Sequence, residues 1–102
     1  MPTYVFEHQH TAETCPTNNQ DLMLQLAQHT TQETATGYGI LIHGEAVLTG
    51  EHRLVMILEA DNAERVNSYA QPFSMVGSVS VKPALTCEQV VVLGCGSPPP
   101  GA

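Results

Sequence analysis

An α+β sandwich with the order strand, helix, strand, strand, helix, strand is the architecture this sequence predicts, on three observations. Stretches of period-two apolar spacing alternate with two stretches of helical spacing. Capping residues and a proline bracket the helical stretches. A chain of 102 residues that is 42% hydrophobic fills one modest core and no more.

Residues 3–10, with Tyr4, Val5 and Phe6, read as the first strand, and Pro16 with Thr17-Asn18-Asn19 punctuates it. Thr17 and Gln20 have capping-box spacing, and Leu22, Met23, Leu26 and Ala27 form one stripe of a helix reaching about residue 33. His29 falls on its polar, solvated side. Residues 38–48 read as the second strand, Thr49-Gly50 as a two-residue turn, and residues 51–59 as an antiparallel third strand. Asp61 with Glu64 caps a second helix that turns Ala63, Val66 and Ala70 inward and stops at Pro72. Residues 73–81 return to period two, with Phe73, Met75, Val79 and Val81 on one side, so Met56 and Met75 are expected in the core or lining a pocket. Thr86 with Gln89 caps a short final helix that ends at Gly94. The domain is thus 1–94, and residues 95–102, rich in Gly and Pro, are expected to be a flexible tail.

This order is the split βαβ of a ferredoxin-like fold. Two helices cover one sheet face, and the other is expected to carry Leu41, Val47, Leu54, Met56 and Leu58, an apolar surface that a homodimer would bury. On element order, length and that open face, residues 3–93 resemble the dimeric α/β-barrel superfamily. The segment Glu7-His8-Gln9-His10-Thr11-Ala12-Glu13-Thr14-Cys15-Pro16 is similar to the start of its small uncharacterised members. The resemblance implies two domains packed sheet to sheet around a pocket, and oxygenation, isomerisation or cyclisation of a small apolar molecule. Haem-binding members are also known, but this chain is shorter than most and lacks an additional axial-ligand motif.

Charge excludes other roles. Ten acidic residues against Arg53, Arg65 and Lys82 give a net charge of -7, which cannot neutralise a run of phosphates and repels an anionic membrane surface. No segment approaches the roughly 18 continuous apolar residues of a membrane helix. No signal peptide is visible, and three cysteines, an odd number, point to reduced thiols and a cytoplasmic setting. Cys87 reads as structural. Phosphate loops, Cys-x-x-Cys pairs and Gly-x-Ser-x-Gly elbows do not occur.

The chemistry concentrates in histidine. His8 and His10 lie two apart on a strand, so both imidazoles project from one face about 6.6–6.8 Å apart. In the expected strand order 4-1-3-2, His52 at the start of the third strand lies at the same sheet edge. With Thr49-Gly50 as a two-residue loop, Val47 opposes His52, Glu45 opposes Leu54 and His43 opposes Met56, which places His43, Glu45 and His52 on the open face and leaves Ile40, Ile42, Val55 and Ile57 under the helices. His43 is then about 13 Å from His52, too far to share an ion. Cys15 can fold back as a fourth ligand or stay an inert thiol, and Glu7 is either an outer carboxylate or base, or a partner of Arg53. The expected metal ligands are therefore His8, His10, His52 and Cys15, a set that suits zinc, iron, copper or nickel over calcium or magnesium. Two other readings remain open at this point. One is metal-free chemistry with His8 or His10 as general base, and the other is a ligand-binding module without catalysis.

Overall fold

The computed structural model describes residues 1–96, 98 and 99. Its elements are β1 (Thr3–Gln9), α1 (Gln20–His29), α2 (Gln32–Gly37), β2 (Leu41–Leu48), β3 (Arg53–Glu59), α3 (Ala63–Ala70), β4 (Ser78–Ala84) and α4 (Cys87–Leu93). The four strands form one antiparallel sheet in the order β2-β3-β1-β4, the ferredoxin-like arrangement expected. The expected tail, 95–102, falls partly outside the described residues. Among the described residues no helix is long and apolar enough to cross a membrane.

Local chemistry shifts several boundaries. Asn19, not Thr17, caps α1 by accepting from the Leu22 amide, because Pro16 first starts a separate 3-10 turn. The first helix stops at Thr30, where the hydroxyls of Thr30 and Thr31 donate to the carbonyls of Ala27 and Gln28, and Thr31 then caps α2. Asn62 rather than Asp61 caps α3. The capping box of Thr86 and Gln89 at α4 forms as expected. Residues Gln71–Val76 continue as 3-10 helix through Pro72, so the last strand begins five residues later than the periodicity suggests. Met75 is consequently 82% exposed and belongs to neither core nor pocket, whereas Met56 is fully buried.

The helix-covered face is the reverse of the one expected on β3. Tyr4, Phe6 and His8 of β1 lie inward with Leu54, Met56 and Leu58 of β3 and Val79 and Val81 of β4. Phe6 decides this, its ring 5.2 Å from that of Phe73 and 6.4 Å from that of Tyr69. Val55 and Ile57 are left on the open face. Ile40 and Ile42 remain inward as expected, because a bulge between Ile42 and Gly44 changes the side on which β2 alternates. The turn is longer than two residues, running through a 3-10 segment at Thr49–Glu51 and His52. Val47 therefore opposes Leu54, and Glu45 opposes Met56.

His29 is not a solvated surface residue. Its ring stacks on Tyr69 at 4.6 Å and 16°, its Nε2 lies 2.7 Å from the Tyr69 carbonyl, and the Tyr69 hydroxyl donates back to the His29 carbonyl at 3.0 Å. Burial first, then the charges of Glu45 and Tyr38, push the Tyr69 phenol up to about 12, so it stays a donor at neutral pH. This reciprocal pair locks α1 to α3. Tyr69→Phe is expected to cost about 1 kcal/mol and His29→Ala about 1–2 kcal/mol in denaturant unfolding. A loss below about 0.3 kcal/mol in both would show that the lock contributes nothing.

Candidate metal centre

Backbone pairing brings His10 and His52 together. The β1–β3 register ends at Gln9 opposite Arg53, and one step further the His10 amide donates to the His52 carbonyl at 3.1 Å. Arg53 reinforces this end of the ladder from the opposite face, donating to Gln9 Oε1 at 2.8 Å. The two imidazoles are thereby set across from each other, with ring centroids 5.2 Å apart. His52 adopts φ 52° and ψ 45°, the only non-glycine residue with positive φ among those described.

Cys15 arrives from the loop that follows β1. Thr11 and Thr14 bond each other through hydroxyls and amides, and the Asn18 amide donates to the carbonyl of Ala12 at 3.1 Å, which closes the loop on itself. Buried Pro16 anchors it beside the sheet. The Cys15 sulfur lies 3.0 Å from the Thr17 hydroxyl, which can donate to a thiolate and orient it. One ligand atom each from His10, Cys15 and His52 lie within 4.8 Å of one another. A tetrahedral zinc-sized ion would draw such atoms to about 3.3–3.6 Å, an adjustment within the reach of side-chain rotation.

His8 stands next to this trio and outside it. It is 2% exposed, its ring 5.3 Å from that of His10 and 5.2 Å from that of Phe73. Both ring nitrogens of His10 and Nε2 of His8 are shielded from solvent with no hydrogen-bond partner among the described residues. Burial lowers the His8 pKa, the neighbouring His10 lowers it further, and the backbone at Val76 and Phe73 partly offsets both. His10 is lowered by burial and then by His52. Both rings are thus held neutral, the state that binds metal.

The sign of the pH effect follows. A histidine whose folded pKa lies below its unfolded value binds fewer protons folded than unfolded, so acid favours unfolding. The metal-free protein is expected to lose stability as pH falls below about 6.5, the loss levelling off once pH passes the lowered folded values. His8→Gln should flatten that decline in thermal melts between about pH 7 and pH 5. An unchanged slope would mean that His8 does not carry it.

These rings line one end of a cavity of about 520 Å³, between the sheet and α1. Leu26, Val47, Leu54 and Phe73 supply apolar wall, and Met23 and Ala27 of the expected helix stripe border it. The cavity lies on the helix side of the sheet within one chain, not on the open face where sequence reasoning set it. No second copy is needed to form it.

The other sequence candidates separate cleanly. Glu7 is on the open face, 3.4 Å from Arg53, and takes the ion-pair role. His43 lies 2.6 Å from Glu59, whose carboxyl is held below the usual range chiefly by that hydrogen bond. It has no part in the cluster, as expected. Glu45 borders the cavity beyond Val47. Cys15, Cys87 and Cys95 are all free thiols. Thr17 and Phe73 escaped sequence reasoning. Only the Cys15–Thr17 spacing hinted at the first, and Phe73 was assigned to a strand that begins later.

The left-handed backbone at His52 carries its own expectation. A side chain there costs about 1–2 kcal/mol that glycine avoids. His52→Gly should therefore leave the metal-free protein at least as stable in thermal melts while weakening metal binding. A large loss of stability without metal would show that the ring serves packing instead.

The sequence profile of one family, described as a domain of unknown function (DUF3303), matches residues 3–95. No curated protein matches the chain.

Proposed function

Starting from a chain that belongs to the DUF3303 family, we propose that it binds a divalent transition metal through His10, Cys15 and His52, leaving a coordination position open towards the apolar cavity. The observation that carries this reading is His10. An imidazole with both nitrogens buried and unpartnered is costly unless something bonds to it, and two further ligand atoms stand within 4.8 Å. Thiolate with two imidazoles favours zinc, copper, iron or nickel. His8 is held neutral beside the ion, placed to accept a proton from a bound molecule.

Elemental analysis of protein purified without a polyhistidine tag tests the proposal. About one transition metal per chain is expected, together with a melting temperature that falls on chelation. A metal-free protein indifferent to chelator would overturn it. That result would favour a second reading supported by the same buried His8, a metal-free site in which this ring is general base.

We also propose that the chain pairs as a dimeric α/β barrel, a second copy covering the open sheet face. Leu41 and Ile57 there are 44% and 45% exposed, and Val5 and Val55 extend the patch. The face bears Glu7, Glu59, Arg53 and Lys82, charges of both signs that a two-fold copy can match with itself. Light scattering should give the mass of two chains, and Ile57→Glu should return it to one while leaving metal content unchanged. A single-chain mass for the unaltered protein contradicts pairing. Three free thiols suit a reducing compartment, and we assign the chain to the cytoplasm.

A further inference from the structure

The charge balance of the cavity specifies what can occupy it, an argument that rests on the metal reading above. A divalent ion with one thiolate and two neutral imidazoles carries a net charge of +1. Among the described residues, no lysine or arginine lines the cavity, and Glu45 is the only carboxylate in its lining. Glu45 is set back from the three ligand residues and is not among the grouped ligand atoms. It opposes Met56, four residues along the sheet from the level of His52, or about 13 Å. Its charge is felt instead by Tyr69, at the far end. An unbalanced charge against apolar walls is costly, and a ligand that brings one negative charge to the ion removes that cost.

The rest of the cavity sets the body of that ligand. Between the cluster and Glu45 run Leu26, Val47, Leu54 and Phe73, with no charged side chain among them. A volume of about 520 Å³ lies in the range of small-molecule sites. Phosphates and other dianions would overshoot the charge. Cationic heads would be repelled by the ion, and a second carboxylate at the far end would face Glu45.

We propose that the cavity binds a medium-chain apolar monoanion, such as a carboxylate or thiolate, with its head on the ion held by His10, Cys15 and His52 and its chain along Leu26, Val47, Leu54 and Phe73. The head displaces solvent from the open position, and the chain gains from burial, about 0.8 kcal/mol per methylene or roughly fourfold in affinity. His8 flanks the head without binding the ion.

The test uses the full chain loaded with cobalt(II), whose visible spectrum reports its ligands, and titrates it with octanoate, butyrate, octanol and octylamine. Octanoate should shift the spectrum and saturate. Butyrate should give the same shift at concentrations higher by roughly fourfold per missing methylene. Octanol and octylamine should leave the spectrum unchanged. Ala27→Phe, an exposed helix position at the cavity wall, should abolish the octanoate response with the cobalt spectrum intact. Failure of cobalt to bind would overturn both the metal reading and this inference. Cobalt that binds but ignores octanoate, or answers octanoate and butyrate equally, would overturn the inference alone.

Discussion

His10→Ala should lower affinity for zinc or cobalt on the order of a hundred- to a thousand-fold, the share of one ligand in a binding free energy of about 10–16 kcal/mol at a full site. His10 joins the trio to its neighbour, its ring lying 5.2 Å from that of His52 within the trio and 5.3 Å from that of His8 beside it. Cys15→Ser should weaken binding comparably and remove the thiolate-to-cobalt charge-transfer band in the near ultraviolet. The metal-free His10→Ala protein should be no less stable than the parent, since two buried nitrogens without partners are removed with the ring. His43→Ala is the control. It lies with Glu59 and should leave affinity unchanged. Equal affinity in His10→Ala and the parent, by competition with a chromogenic chelator, would place the metal elsewhere.

Gly77→Ala is expected to be the most destabilising single-methyl change in the fold. Gly77 has φ 156° and ψ −167°, a conformation that essentially only glycine adopts. A Cβ there would overlap the Gln9 carbonyl oxygen and lie 2.8 Å from His8 Nε2. Gln9 cannot yield, because its strand is paired on both sides, with Arg53 and with Ser78. Strain of about 1–3 kcal/mol plus the overlap brings the loss to about 3 kcal/mol or more, a fall in melting temperature of at least about 12 °C. The same methyl presses on the His8 ring and so joins the fold to the site. Gly94→Ala is the comparison. It meets nothing within 4 Å but has φ 84°, and it should cost only about 1–2 kcal/mol, the backbone strain without the overlap. A melting temperature for Gly77→Ala within about 3 °C of the parent would show that the turn relaxes freely.

Architecture was legible because periodicity and order suffice for it. The strands at 3–10 and 51–59 and the helix from Ala63 to Ala70 stand close to where their apolar spacing puts them. Boundaries were less so. Asn19 and Asn62 took caps assigned to Thr17 and Asp61, since adjacent polar residues compete for the same amides. Strand alternation correctly grouped Glu45 and Val47 with Leu54 and Met56. It could not say which group lies under the helices, and that choice came from Phe6 meeting Tyr69 of α3 and Phe73 of the 3-10 segment that follows it. The convergence of His10 with His52 followed from strand order, and Cys15 from its place in the loop after β1. His8 shares the face with His10 but is one residue pair deeper, where Gly77 and Phe73 enclose it. Two-residue spacing places rings on a face without setting their depth.

X-ray absorption at the edge of the metal that the protein retains measures the proposed centre most directly. The account predicts one sulfur at about 2.3 Å and two imidazole nitrogens at about 2.0–2.1 Å, with the sulfur absent in Cys15→Ser and one imidazole absent in His52→Gly. A shell of oxygen alone, or a sulfur that persists in Cys15→Ser, would contradict it.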